Sequence, residues 1–208
     1  MHIRSHIAAA ISAAALAAAG FGAGAAAQEK TFDVSALPGG EYALDPNHAY
    51  INFTYSHAGF SRPLFGFDRF DSTVTLVPDD LSASRVEVTI DPASIDSNSD
   101  AFNEHLMSAD MFDVANYPEI TFVSTDIERE NDEHGKITGD LTMHGVTRPV
   151  TLDVTFHGSA PHFRSGAQIL GFSATASIKR SDWGLGYGVP LVGDDVTIYI
   201  TAEYAKTE

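Results

Sequence analysis

The chain has 208 residues, of which 44% are hydrophobic, no cysteine and a formal net charge of −16. That length fits one domain. The missing thiols exclude a disulfide framework, a thiolate metal site and a lipid anchor on an N-terminal cysteine, and the acidity disfavours nucleic acid and anionic headgroups as partners.

In chain order, residues 1–27 read as a cleaved secretory signal peptide. Arg4 lies near the start, an alanine-rich apolar run extends from Ile7 to Phe21, and Gly24-Ala25-Ala26-Ala27 supplies small residues for cleavage after Ala27. A membrane anchor is the weaker reading, because the run falls short of the roughly 20 residues that span a bilayer. Loss of Arg4 would leave the exported chain more acidic still. Residues 28–41 form a polar lead-in closed by Pro38-Gly39-Gly40, and 42–208 form the domain.

From Tyr42 onward the dominant period is two. Ile51, Phe53 and Tyr55 alternate with polar residues, as do Val86, Val88 and Ile90. The same holds for Val150, Leu152, Val154 and Phe156, and for Val196 through Tyr204. Such alternation lays one apolar face inward and one polar face to water, as in antiparallel sheets. About eight strands are predicted, near 50–57, 65–77, 84–91, 119–129, 136–143, 147–157, 168–180 and 194–204. Turn signals separate them at Pro78-Asp79-Asp80, 131–135, His144-Gly145, 158–166 and Gly193-Asp194-Asp195. One helical interruption is predicted at 100–107, where Phe102 and Leu106 fall one turn apart and Ser99 or Asp100 offers a cap.

Many strands at regular spacing indicate a sandwich or a barrel, and the large inward set favours an eight-stranded barrel. Its interior is either packed solid or holds one ligand, and the alternation leaves both open. An outer-membrane barrel would reverse the faces. It fits poorly, because histidine, proline and charge interrupt the strands and the chain ends on Ala205-Lys206-Thr207-Glu208.

Several phrases narrow the choice. Tyr42-Ala43-Leu44-Asp45-Pro46-Asn47-His48-Ala49, His57-Ala58-Gly59-Phe60 and Phe65-Gly66-Phe67-Asp68-Arg69-Phe70 come first. Residues 102–113 (FNEHLMSADMFD), 117–122 (YPEITF), 139–147 (GDLTMHGVT) and 178–184 (IKRSDWG) follow. In this order they resemble the YceI-like family of periplasmic, lipocalin-like polyisoprenoid-binding proteins. The resemblance implies an all-β fold: an extended eight-stranded antiparallel lipocalin-like barrel with one short helical interruption. It also implies a periplasmic location, a bound isoprenoid, quinone or other long-chain lipid, and a homodimer. One departure stands out: Met111 replaces the first aromatic of an Asp-Phe-Phe-Asp phrase, putting a flexible thioether where a ring is usual.

The candidate tunnel lining comprises Phe53, Tyr55, Phe67, Phe122, Met143, Val154, Phe156 and Phe172 from the strands. Phe60, Phe65, Phe102, Leu106, Met111, Phe112 and Trp183 join them from the apolar phrases. A strand of ten residues rises about 33 Å, and some forty buried carbons at about 0.8 kcal/mol each give on the order of 30 kcal/mol gross. Most of that must be absorbed by chain ordering and by competition from membranes. Such a pocket needs length and dryness more than polar chemistry.

Chemistry-bearing motifs are sparse. The histidines outside the signal show no His-x-x-x-His pair and no H-E-x-x-H, so no metal site is expected. No G-x-S-x-G or cysteine nucleophile exists, and no catalysis is expected. His57 and His105, beside aromatic phrases, and Arg62 and Arg69, in an apolar stretch, are candidate contacts for a ligand headgroup. Residues 183–191 form a glycine-rich apolar loop suited to cover a barrel end. The function expected is lipid carriage or storage. The alternatives are a lipid-modifying enzyme or a quinone-linked redox partner of a membrane b-type cytochrome.

Overall fold

The period-two runs form strands, and all of them join one antiparallel sheet of eleven segments. The computed structural model describes residues 29–207, so the expected signal peptide lies outside the described residues. The segments are β1 (Gly40–Leu44), β2 (Tyr50–His57), β3 (Leu64–Phe67), β4 (Phe70–Leu76), β5 (Arg85–Ile90) and β6 (Ile95–Asp96). After α1 (Asp100–Met107) come β7 (Ile120–Arg129), β8 (His134–Met143), β9 (Val146–Pro161), β10 (Gln168–Lys179) and β11 (Val192–Lys206).

The eleven segments occupy eight barrel positions. β1 and β2 pair with successive stretches of β11, Leu44 opposite Tyr204 and Tyr50 opposite Thr201, so they are one strand interrupted by a turn. β3 pairs with β2 while β4 pairs with β1. β6 pairs with β3 while β5 pairs with β4, giving two further interrupted strands. β5 then meets β7, and hairpins run through β8, β9 and β10 to β11. Pairing of β1 with β11 closes the ring and removes the free edge that an open sheet would carry. This is an all-β, lipocalin-like barrel.

The structure departs from the sequence reading in four places. The strand predicted over 65–77 breaks at Asp68-Arg69. There the backbone bonds the 91–94 turn, Asp68 N to Ser94 O at 3.0 Å and Arg69 N to Ser94 Oγ at 2.9 Å. The break resets the alternation: Phe65 and Phe67 face inward before it, and Phe70, Ser72, Val74 and Leu76 after it. The lead-in is not merely polar. Its last residues open β1, Tyr42 is fully buried with its hydroxyl donating to Pro38 O at 2.7 Å, and Phe32, Val34 and Leu37 pack on the core. Those three apolar residues follow no period, which is why the sequence hides them. The turn predicted at 158–166 starts too early, because β9 continues to Pro161. Gly158, at φ +94°, makes room for Phe32 and Lys30 instead of reversing the chain. Ser99 is the N-cap of α1 but makes no side-chain capping bond. Asn103 Oδ1 ties that turn down by accepting from Ser97 N and Oγ at 2.8 and 2.6 Å.

His144 and Gly145 take φ of +51° and +75°, the two-residue turn that the twist of a hairpin favours, and join β8 to β9. At Gly139 of β8 an added Cβ would collide with the Phe122 ring and lie 2.6 Å from the Val123 carbonyl oxygen. Gly139→Ala should therefore destabilise the barrel by about 1–3 kcal/mol, the usual cost of overpacking. The midpoint of urea unfolding checks this, and an unmoved midpoint would show that strands β7 and β8 separate freely.

Candidate functional site

The inward faces enclose two apolar chambers, of about 340 and 180 Å³. They lie end to end and share Val88, Phe122, Leu152, Ile200, Ala202 and Tyr204, which form a waist. The packing is aromatic around the larger chamber. Phe53 meets Phe65 edge-on and Phe67 at a tilt, both with centroids 5.6 Å apart, and Phe65 meets Phe102 of α1 at 5.6 Å. Phe67 meets Phe112 at 5.7 Å. α1 thus lies across one end of the barrel, its Phe102 and Leu106 one turn apart on the lumen side.

Of the residues singled out from the sequence, Phe53, Tyr55, Phe65, Phe67, Phe102, Leu106, Met111, Phe112, Phe122 and Met143 line the larger chamber. Val154, Phe156 and Phe172 line the smaller one at the opposite end, where Val34 and Leu37 of the lead-in close in. Phe60 is not in the lumen. It is 91% exposed at the tip of the β2–β3 hairpin, where Ala58 and Gly59 carry φ of +51° and +75° and project the tip beyond the barrel wall. Trp183 is buried in the core cluster but lines neither chamber, its indole N–H donating to Leu141 O at 3.1 Å. His57 and His105 do reach the larger chamber, with the Tyr187 ring 5.2 Å from His105. Arg62 and Arg69 do not. Arg62 is exposed beside Phe60, and the break before β4 turns Arg69 outward onto Asp91 at 2.7 Å.

The residue that sequence reasoning missed is Arg180. It continues the inward alternation of β10 through Leu170, Phe172, Ala174, Ala176 and Ile178, and that phase was the signal that could have found it. It is 7% exposed and lines the larger chamber. Its Nε donates to Gly193 O at 2.9 Å, its Nη2 to Tyr187 O and Val192 O at 2.9 and 3.0 Å, and its Nη1 to Leu185 O. One side chain therefore fixes the glycine-rich 185–193 stretch at the chamber rim. Burial lowers its pKa from the ordinary arginine value, while Asp194 and Tyr55 raise it.

Several other polar groups find local partners, although the buried Thr54 hydroxyl has none among the described residues. In the waist, Ser72 Oγ and the Tyr204 hydroxyl lie 2.9 Å apart. His157 bonds Ser173 on the outer face at 2.9 Å, and His144 packs against Tyr117 at a tilt of 54°, with centroids 4.5 Å apart. One grouping escapes the spacing rules. Asp45, His48 and Glu203 bring possible metal-ligand atoms within 4.8 Å of one another on the outside, where His48 Nδ1 is already 2.8 Å from Asp45 Oδ2. No chamber residue belongs to it.

Burial raises the pKa of Tyr42, Tyr55 and Tyr204 above 10.0. A group whose folded pKa is raised contributes stability that is whole below the unfolded value and is lost as pH rises through the folded one. The barrel should therefore hold constant stability from these phenols up to about pH 10 and lose it above that. Of the seven tyrosines, these three should contribute their phenolate absorbance only together with loss of β-sheet circular dichroism. Phenolate absorbance from all seven tyrosines while the sheet is still intact would contradict the buried placement of these three.

A closed antiparallel barrel around an apolar, aromatic-lined lumen defines a lipocalin-like binding protein. The chain belongs to the YceI-like domain family, which matches residues 42–204. It is 35% identical to protein YceI of Escherichia coli and 36% identical to protein YceI of Salmonella arizonae, each over 174 residues covering 83% of this chain and 90% of the relative. Among solved structures it is similar to Burkholderia cenocepacia BcnA, with TM-score 0.69 and 26% identity, covering 77% of this chain and 98% of that one. The Campylobacter jejuni YCEI protein gives TM-score 0.66 and 30% identity, covering 72% and 88%. A polyisoprenoid binding domain from Saccharophagus degradans shares the fold at TM-score 0.60 and 16% identity, covering 80% and 98%.

Proposed function

We propose that this protein holds a long-chain lipid, such as a polyisoprenoid, an isoprenoid quinone or a similar amphiphile, inside its barrel and carries or stores it in the periplasm without catalysis. The observation that carries this reading is the pair of apolar chambers in line, joined at a waist of shared side chains. Burial of a lipid chain there gains about 0.8 kcal/mol per methylene. The polyisoprenoid binding domain of Saccharophagus degradans supports the same reading through its fold. Export is supported by the signal-like start of the sequence, and no helix among the described residues is long and apolar enough to cross a membrane.

Solvent extraction of the purified protein followed by mass spectrometry tests the proposal. A long-chain lipid at near-stoichiometric amount is expected. Preparations that yield no lipid and take up none from vesicles would refute it. An extract whose absorbance bleaches on reduction would select the quinone version, with a membrane b-type cytochrome as the partner it implies.

A further inference from the structure

The larger chamber carries a cation that its own chain does not neutralise. Arg180 is buried on the chamber wall, and no carboxylate among the described residues stands within ion-pairing distance of it. Its partners are backbone carbonyls, which satisfy hydrogen bonds but leave the positive charge in place. Asp194, the acid that acts on it electrostatically, already accepts from Ser181 N and Oγ at 2.9 and 2.8 Å. A guanidinium offers five N–H donors. Nε and Nη2 are fully engaged, whereas Nη1 meets only Leu185 O and keeps one N–H with no acceptor among the described residues.

A second donor shares that wall. Tyr55 is buried on the larger chamber, its hydroxyl has no hydrogen-bond partner among the described residues, and its phenol interacts electrostatically with Arg180. An uncommitted guanidinium N–H and an uncommitted phenol O–H that line one mostly apolar cavity suit an acceptor that brings negative charge. Charge-assisted bonds are roughly twice as strong as neutral ones, and a buried unpaired cation favours an anion further. His57 and His105 complete the rim.

We propose that Arg180 and Tyr55 form a headgroup site for the anionic oxygen of a carboxylate- or phosphate-ended lipid whose chain lies in the chamber. The inference rests on the lipid-binding reading above and adds a ligand class to it. A neutral lipid would fill the same space without meeting this pair.

Titration with all-trans retinoic acid and with retinol separates the possibilities, because the two share an isoprenoid skeleton and differ in the charged end. The sole tryptophan, Trp183, is buried in the core cluster that includes chamber-lining residues and reports binding through quenching of its fluorescence. The acid should bind at least about tenfold more tightly than the alcohol at neutral pH, in line with a charge-assisted contact. Tyr55→Phe should narrow that preference several-fold while leaving the melting temperature in place. Competition against bound retinoic acid then sorts the headgroup. Displacement at lower concentration by geranylgeranyl phosphate than by geranylgeraniol extends the site to phosphate, and equal displacement confines it to carboxylate. Equal affinity for acid and alcohol overturns the headgroup site and leaves the lipid reading standing. A preference that Tyr55→Phe does not alter overturns the assignment to this pair, and failure of both retinoids to bind overturns the lipid reading as well.

Discussion

Phe122→Trp should fold to a barrel of nearly unchanged stability that has lost most of its capacity for long lipids. The Phe122 ring borders both chambers at the waist and lies against Gly139 on β8, which leaves it no retreat into the wall. A larger ring must grow into the lumen and close the passage between the chambers. In a solid core the same change would cost about 1–3 kcal/mol by overpacking. Here the added atoms enter open space, so the stability cost should fall below that range. Lipids long enough to occupy both chambers should disappear from solvent extracts of the variant, while short ones confined to the larger chamber remain. Mass spectrometry of the extracts, read beside urea unfolding, checks both halves. Wild-type lipid content at unchanged stability would mean that the ring faces away from the lumen.

Arg180→Met should be the more damaging change to the fold. It removes the donor for the carbonyls of Leu185, Tyr187, Val192 and Gly193 at once. Hydrogen bonds to a charged donor contribute about 1.5–3 kcal/mol each. Two opposing effects reduce the total: relief of a buried cation, and rehydration of the Tyr187 carbonyl, whose residue is exposed. A net loss of about 3–5 kcal/mol is expected, which for a domain of this size lowers the melting temperature by on the order of 10 °C. Arg180→Lys should recover little, since an ammonium is a compact point donor and cannot span four carbonyls set around a planar fork. Calorimetry of both variants is the check. A loss under about 1 kcal/mol would show that the glycine-rich loop holds its shape without the guanidinium.

Much of the barrel was legible because burial in a closed sheet imposes a strict period of two. Val150 to Phe156 and Val196 to Tyr204 show it without a break, and their inward faces follow directly. The helix was legible with the same bounds, because Phe102 and Leu106 sit one turn apart between polar residues. What stayed hidden was any change of phase. A strand that stops for two residues at Asp68-Arg69 looks continuous in sequence, since each half keeps its own alternation, and nothing in the apolar stretch around Arg69 signals that the break turns this side chain outward. The bulge between Ser124 and Asp126 does the same to β7, bringing Ile127 to the lumen although Phe122 lies at an even position. Arg180 was hidden differently. Its phase was correct, but an arginine at the end of a strand reads as a surface residue unless the loop carbonyls that solvate it are known. Phe60 was misjudged for the converse reason: an aromatic at a hairpin tip reads as core unless the tip is known to overshoot the barrel.

The three strand interruptions, at 45–49, 68–69 and 91–94, fall in neighbouring barrel positions. Along that line ladder bonds give way to turn bonds such as His48 N to Asp45 O at 3.1 Å and Asp91 N to Arg69 O at 3.0 Å. The wall is therefore mechanically uneven, with β8 to β11 running uninterrupted on one side and a seam crossing the other. Native-state amide hydrogen exchange should divide along the same boundary. Central amides of β8 to β11 should become deuterated only through opening of the whole molecule, whereas β1 to β6 should exchange together at a lower free energy, as a separate cooperative unit.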